Sequence, residues 1–125
     1  MKKLKLVILV LFAALYVSCT VNYDEKQGSL CVRNEAFNTS LNICEVYVKE
    51  KGSSGYERIW TGNLASGSSE FVSLDEGMYS VKIAVSNYPG FILYEYTTGY
   101  NVYKRVNADD CIYVSFDGNG IYFED

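Results

Sequence analysis

The sequence predicts an all-β protein, a single antiparallel β-sandwich of about seven to nine strands behind an N-terminal export signal. Three observations carry this expectation. From Gly28 onward apolar and polar residues alternate at period two, and no stretch sustains a helical period. Clusters of Gly, Ser, Asn and Asp interrupt the alternation about every 8 to 12 residues, the spacing of sandwich and barrel strands. The 125-residue chain keeps 107 residues once the first 18 are set aside, enough for one small domain.

The chain opens on Met1 to Lys5, with lysine at positions 2, 3 and 5, followed by twelve apolar residues from Leu6 to Val17. Twelve is short of the roughly 20 that a membrane-spanning helix needs and suits the apolar stretch of a secretory signal. An unbroken apolar run has no amphipathic stripe to present to a core, which argues against a buried helix. Residues 1–18 therefore read as a signal peptide. Residues 19–27 are short and polar and read as a tether reaching about 20 Å. Residues 28–125 are the sandwich domain.

The end of the signal, Tyr16-Val17-Ser18-Cys19, resembles the lipobox of bacterial lipoproteins, in which a small residue precedes an obligatory cysteine. Tyr16 stands where leucine is usual. The resemblance implies cleavage before Cys19, diacylglycerol on its thiol and a further acyl chain such as palmitate on its amine. Acyl chains contribute about 0.8 kcal/mol per buried CH₂, so two or more give durable anchoring. Thr20, in place of an aspartate, implies the outer membrane by the same resemblance, with the periplasmic or surface face left open.

Within the domain the first strand is expected at Ser29–Arg33. Ile43–Glu50 follows, with Cys44, Val46 and Val48 on one face and Ile43, Glu45, Tyr47 and Lys49 on the other. The loop Lys51–Gly55 leads to Tyr56–Thr61, the turn Gly62–Gly67 to Glu70–Leu74. Asp75-Glu76-Gly77 reads as a tight hairpin in which Gly77 takes a positive φ. Met78–Ser86 alternates most clearly, with Tyr79, Val81, Ile83 and Val85 on one face and a second face that needs no burial. Beyond Pro89-Gly90, strands are expected at Phe91–Thr97, Tyr100–Val106 and Cys111–Phe116, then Ile121–Glu124 after the turn Asp117-Gly118-Asn119-Gly120.

The stretch from Trp60-Thr61-Gly62 through Gly67-Ser68-Ser69-Glu70-Phe71 to Gly77-Met78-Tyr79 is similar to small sandwich modules of the transthyretin-like or carboxypeptidase-regulatory type. In those a strand, a Gly-Ser turn, a short strand and a Gly-x-Tyr hairpin recur. The resemblance implies an immunoglobulin-like or transthyretin-like sandwich and carries no function.

Charge and composition narrow the function. Three of the eleven basic residues lie in the signal, so eight remain against fifteen acidic ones and the mature chain carries −7. That balance argues against nucleic acid, whose phosphates demand clustered Lys and Arg. The absence of histidine removes Ser-His-Asp and Cys-His catalysis and most zinc sites. No cofactor is expected. Asp109-Asp110 and Asp117 with Asn119 raise the question of calcium, but turn chemistry explains Asp-Gly and Asn-Gly, and an intervening strand sets the two groups at opposite ends.

With Cys19 lipidated, Cys31, Cys44 and Cys111 are disulfide candidates in an exported compartment. A hairpin centred near Asn38 would pair Cys31 with Cys44. Cys31 pairs instead with Cys111 if the last long strand lies beside the first, and three reduced buried thiols are the remaining reading. Tyrosines cluster at Tyr94, Tyr96, Tyr100 and Tyr103. Tyr94 and Tyr96 share a face and offer a surface for stacking on sugar or anchoring a protein, or else merely suit half-buried strands.

The expected function is therefore a non-catalytic, lipid-anchored binding module of a bacterial cell envelope that touches the membrane through its anchor and recognises a protein or glycan. The alternative is an envelope-anchored inhibitor of a foreign enzyme such as lysozyme, a basic protein that an acidic domain attracts.

Overall fold

The structure, a computed structural model, describes residues 27–87, 91–99 and 101–124. The signal, Cys19, the tether up to residue 26, and Tyr100 lie outside the described residues. These residues form nine strands and no helix: β1 (Gln27–Asn34), β2 (Asn42–Glu50), β3 (Glu57–Leu64), β4 (Ser69–Asp75), β5 (Gly77–Ser86), β6 (Tyr94–Thr97), β7 (Lys104–Val106), β8 (Cys111–Phe116) and β9 (Ile121–Phe123).

The strands make the expected β-sandwich. One sheet runs β4-β1-β8-β9; the other runs β3-β2-β5-β6, with β7 also on β5. All pairings are antiparallel except β1 with β8. The inward residues Leu30 and Val32 of β1, Ile112, Val114 and Phe116 of β8, and Ile43, Val46, Val81, Ile83 and Val85 of β2 and β5 form one core. The period-two alternation puts these side chains on one face of each strand, and facing sheets let both faces bury them.

Four sequence expectations are corrected. First, β1 and β2 are not a hairpin. The chain crosses from one sheet to the other between them, which leaves Cys31 and Cys44 in different sheets. Second, Ile43 rather than Cys44 shares the core face with Val46 and Val48. Ile43 pairs with Val85 and Glu45 with the adjacent Ala84, so Cys44 is the extra residue of a β-bulge that resets the alternation. Third, Asp75-Glu76-Gly77 turns between sheets, because β4 pairs with β1 and β5 with β2. Gly77 is absent from the glycines with positive φ. A Cβ there would lie 2.9 Å from a Glu50 carboxylate oxygen, the movable end of a flexible side chain. The Tyr79 hydroxyl donates to the Asp75 carbonyl at 2.9 Å and clasps this corner, as tyrosine corners do in other sandwiches.

Fourth, β5 is buried on both faces, including Ser80, Ala84 and Ser86. Its outer face is roofed by a polar network. Lys82 lies over the rings of Tyr47 and Tyr56, at 4.5 and 5.2 Å, and pairs with Glu95. Tyr56, Ser80 and Thr98 form a hydroxyl chain with 3.1 Å links.

The two late strands are shorter than expected. Phe91 to Leu93 precede β6 without joining it, and β7 begins only at Lys104, after Gly99 (φ 125°) and Asn101 (φ 64°).

The sandwich has two distinct poles. Gln27, Asp75, Glu50 and Asp110 gather where the tether enters, since Gln27 faces Asp75 and the Ser29 amide donates to the Asp110 carbonyl. At the far pole lie Asn34, the turn after it, the start of β2 and the segment before β6, where the Leu93 amide donates to Val85.

Candidate binding surface

The β4-β1-β8-β9 sheet presents an outward face built from the residues that alternate with the core. Register sets Ser69, Phe71 and Ser73 of β4 beside Arg33, Cys31 and Ser29 of β1, and Tyr113 beside Cys31. On the far pole side of this face is a groove of about 320 Å³. Phe37 and Phe71 flank it, 66% and 61% exposed, which is unusual for phenylalanine. Cys31 lies at its base, 2% exposed, between its cross-strand neighbours Phe71 and Tyr113. Glu35 also lines it.

Arg33 is fixed on one side of the groove. Its guanidinium stacks 4.3 Å from the Tyr113 ring centroid and reaches Glu124 at 3.4 Å. Glu124 in turn accepts a hydrogen bond from the Ser115 hydroxyl. Cation–π and ion-pair contacts of this kind are individually small at a surface, but together they hold the guanidinium in place.

Phe37 owes its position to Asn34, which is 1% exposed. The Asn34 side-chain amide donates to the carbonyls of Leu41 and Leu64, both at 2.9 Å, and its oxygen accepts from the Ala36 amide at 3.0 Å. The turn after β1 is thereby fastened, and the Gly67 amide donates to the Asn34 carbonyl at 2.7 Å, which brings the turn before β4 alongside.

Electrostatics differ along this face. Burial pushes the Cys31 thiol up from its ordinary value, and the hydrogen bond from Arg33 partly offsets it. Burial also raises the Tyr122 hydroxyl, helped by the negative charges of Glu35, Asp117 and Glu124. Asp117 accepts from the amides of Asn119 and Gly120, which forms the turn expected between β8 and β9.

The tyrosines singled out in the sequence do not form one ladder. Tyr94 and Tyr96 share a face as expected, opposite Val85 and Ile83, and this is the core side. Tyr96 packs on Phe116 with ring centroids 5.3 Å apart; Tyr94 stands 6.2 Å from Tyr96 and is 54% exposed. Tyr103 turns to the opposite side, with its hydroxyl 3.5 Å from the Lys49 ammonium. Tyr100 lies outside the described residues.

Cys31, Cys44 and Cys111 are free thiols, so none of the expected pairings is made. The Cys44 thiol donates to the Ala84 carbonyl at 3.4 Å. β8 does lie beside β1, but Cys31 is opposite Tyr113, two residues beyond Cys111. That offset separates their Cα atoms by about 8 Å, given about 4.8 Å between strands and about 6.6 Å along them. A disulfide closes only below about 7 Å.

Among the described residues no group of three or more Cys, Asp or Glu is placed to hold a metal ion. No family model matches the chain, and no curated protein matches it. Fold and surface together define a class, a small β-sandwich that carries, among other surface features, an aromatic groove beside an arginine.

Proposed function

We propose that this protein is a non-catalytic binding module of a bacterial cell envelope, held at the outer membrane by acyl chains on Cys19. It presents the Phe37–Phe71 groove to a protein or glycan. The exposure of those two rings is the observation that carries the reading, since large apolar side chains grouped at a surface mark interaction sites. Their place adds support. The tether enters at the Gln27 pole, whereas Phe37 sits at the opposite one, so a lipid anchor leaves the groove facing away from the bilayer.

Metabolic labelling with a fatty acid, in wild type and in Cys19→Ala, tests the anchor. The reading expects label in wild type only, and label that survives the substitution contradicts it. Protease treatment of whole cells then separates a surface-facing domain, which is degraded, from a periplasmic one.

A further inference from the structure

We infer that the partner at this groove is a cationic polypeptide segment, an extended chain with lysine or arginine at alternate positions; this rests on the binding-module reading above. Three features of the outward face point to that chemistry. Phe37, Phe71 and Tyr122 expose their rings, at 66%, 61% and 45%. The face of an aromatic ring is electronegative and attracts ammonium or guanidinium groups within about 6 Å. Carboxylates stand among these rings: Glu35 lines the groove, and Glu35, Asp117 and Glu124 all act on the Tyr122 hydroxyl.

The positive charge on this face is already taken. Arg33 is the one basic residue in the strands of the β4-β1-β8-β9 sheet, and it is engaged by Glu124 and Tyr113. Glu35 and Asp117 have no ion pair among the described residues. An incoming cation therefore meets uncompensated carboxylate beside aromatic rings, and an anionic ligand meets repulsion. The mature charge of −7 acts in the same sense at long range.

The span selects a polypeptide over a small cation. Phe71 is on β4 and Tyr122 on β9, the outer strands of a four-stranded sheet. Tyr122 is in register with Ser115, two residues beyond the Tyr113 that lines up with Phe71, so three strand spacings and one two-residue step separate the rings, about 16 Å. In an extended chain residues i and i+4 are about 13 Å apart, with i+2 midway. Long cationic side chains at i and i+4, splayed slightly apart, thus reach from Phe71 across to Tyr122.

Fluorescence anisotropy with the full-length protein in non-ionic detergent tests this. The probes are a labelled octapeptide alternating lysine and serine, its glutamine–serine counterpart, and chitotetraose. Binding of the lysine peptide alone is expected, weakening as salt rises. Phe37→Ser and Phe71→Ser leave the charge unchanged and are each expected to weaken it about two- to fivefold. Glu35→Gln is expected to weaken it likewise, whereas Glu57→Gln, which removes the same charge near the tether pole, leaves it within about twofold. Equal loss in Glu57→Gln with none in the phenylalanine variants overturns the proposal, because bulk charge then explains the binding. Preference for chitotetraose or the neutral peptide overturns the cationic class and leaves the binding-module reading standing. If no probe binds, the inference fails; partner adducts at position 71 in cells then still uphold the module, and their absence removes both.

Discussion

The side-chain amide of Asn34 donates to the carbonyl of Leu64 at 2.9 Å and so ties the end of β1 in one sheet to the end of β3 in the other. The same amide holds Leu41, at the entry to β2. A single buried side chain thus fastens both sheets at the pole that carries Phe37. Asn34→Ala leaves two carbonyls and the Ala36 amide without this partner. Leaving such groups buried and unpaired costs about 1–3 kcal/mol each before relaxation, and we expect a net loss of about 2–4 kcal/mol. For a domain of this size that lowers Tm by about 10–20 °C. A thermal melt that shifts by less than about 3 °C contradicts the clasp.

The two tyrosines of β6 are expected to separate on substitution. Tyr96 packs on the buried Phe116 ring, so Tyr96→Ala removes core contact and costs about 2–3 kcal/mol. Tyr94 is more than half exposed, and Tyr94→Ala costs less than about 1 kcal/mol. Urea denaturation of the two variants checks the order, and equal costs count against the packing described for Tyr96.

Thiol chemistry follows the same geometry. Maleimide labelling is expected to be fast at exposed Cys111 and slow at Cys31, which is buried and whose thiol is pushed up from 9.0. Mass spectrometry after labelling in denaturant is expected to find Cys31, Cys44 and Cys111 all modified without prior reduction. A bridge joining any two of them contradicts the strand arrangement.

Alkaline pH is expected to destabilise the domain. Tyr47, Tyr79, Tyr113 and Tyr122 are all raised from 10.0. For Tyr47 the leading cause is the 2.5 Å hydrogen bond it donates to Glu45, and for Tyr79 it is burial. A phenol whose folded pKa lies above its unfolded value favours folding while protonated in both states. That contribution is fully present below pH 10 and is lost as pH rises through the folded pKa. Melts at increasing pH are expected to hold Tm between about pH 8 and 9 with respect to these groups and to lower it above about pH 10. Glu45→Gln is expected to shift the Tyr47 titration, read by phenolate absorbance, to lower pH.

How legible this was in the sequence depends on what each residue needs to be read. The core face of β5 follows from the alternation of Tyr79, Val81, Ile83 and Val85, because side chains on one face of a strand recur every two residues. Cys44 escaped that rule, since a bulge adds a residue without leaving a periodic trace. Sheet membership was also hidden: Asp75-Glu76-Gly77 has the composition of a hairpin, yet tertiary packing sends β4 and β5 to different sheets. Tyrosines concentrate at residues 94–103, while the groove is built by Phe37, Arg33, Phe71 and Tyr113, which lie far apart in the chain. Phe71 did carry a signal, being the lone aromatic among Ser69 and Ser73 on the face opposite Val72 and Leu74. Asn34 carried none.

The central claim is that the Phe37–Phe71 groove is where this protein meets its partner. Replacing Phe71 in living cells with a photo-crosslinking amino acid tests it most directly, with Ser54, in the polar loop after β2, as the comparison site. The account predicts discrete adducts of higher mass from position 71 and none of comparable yield from position 54. No adduct at 71, or equal yield at both sites, would contradict it.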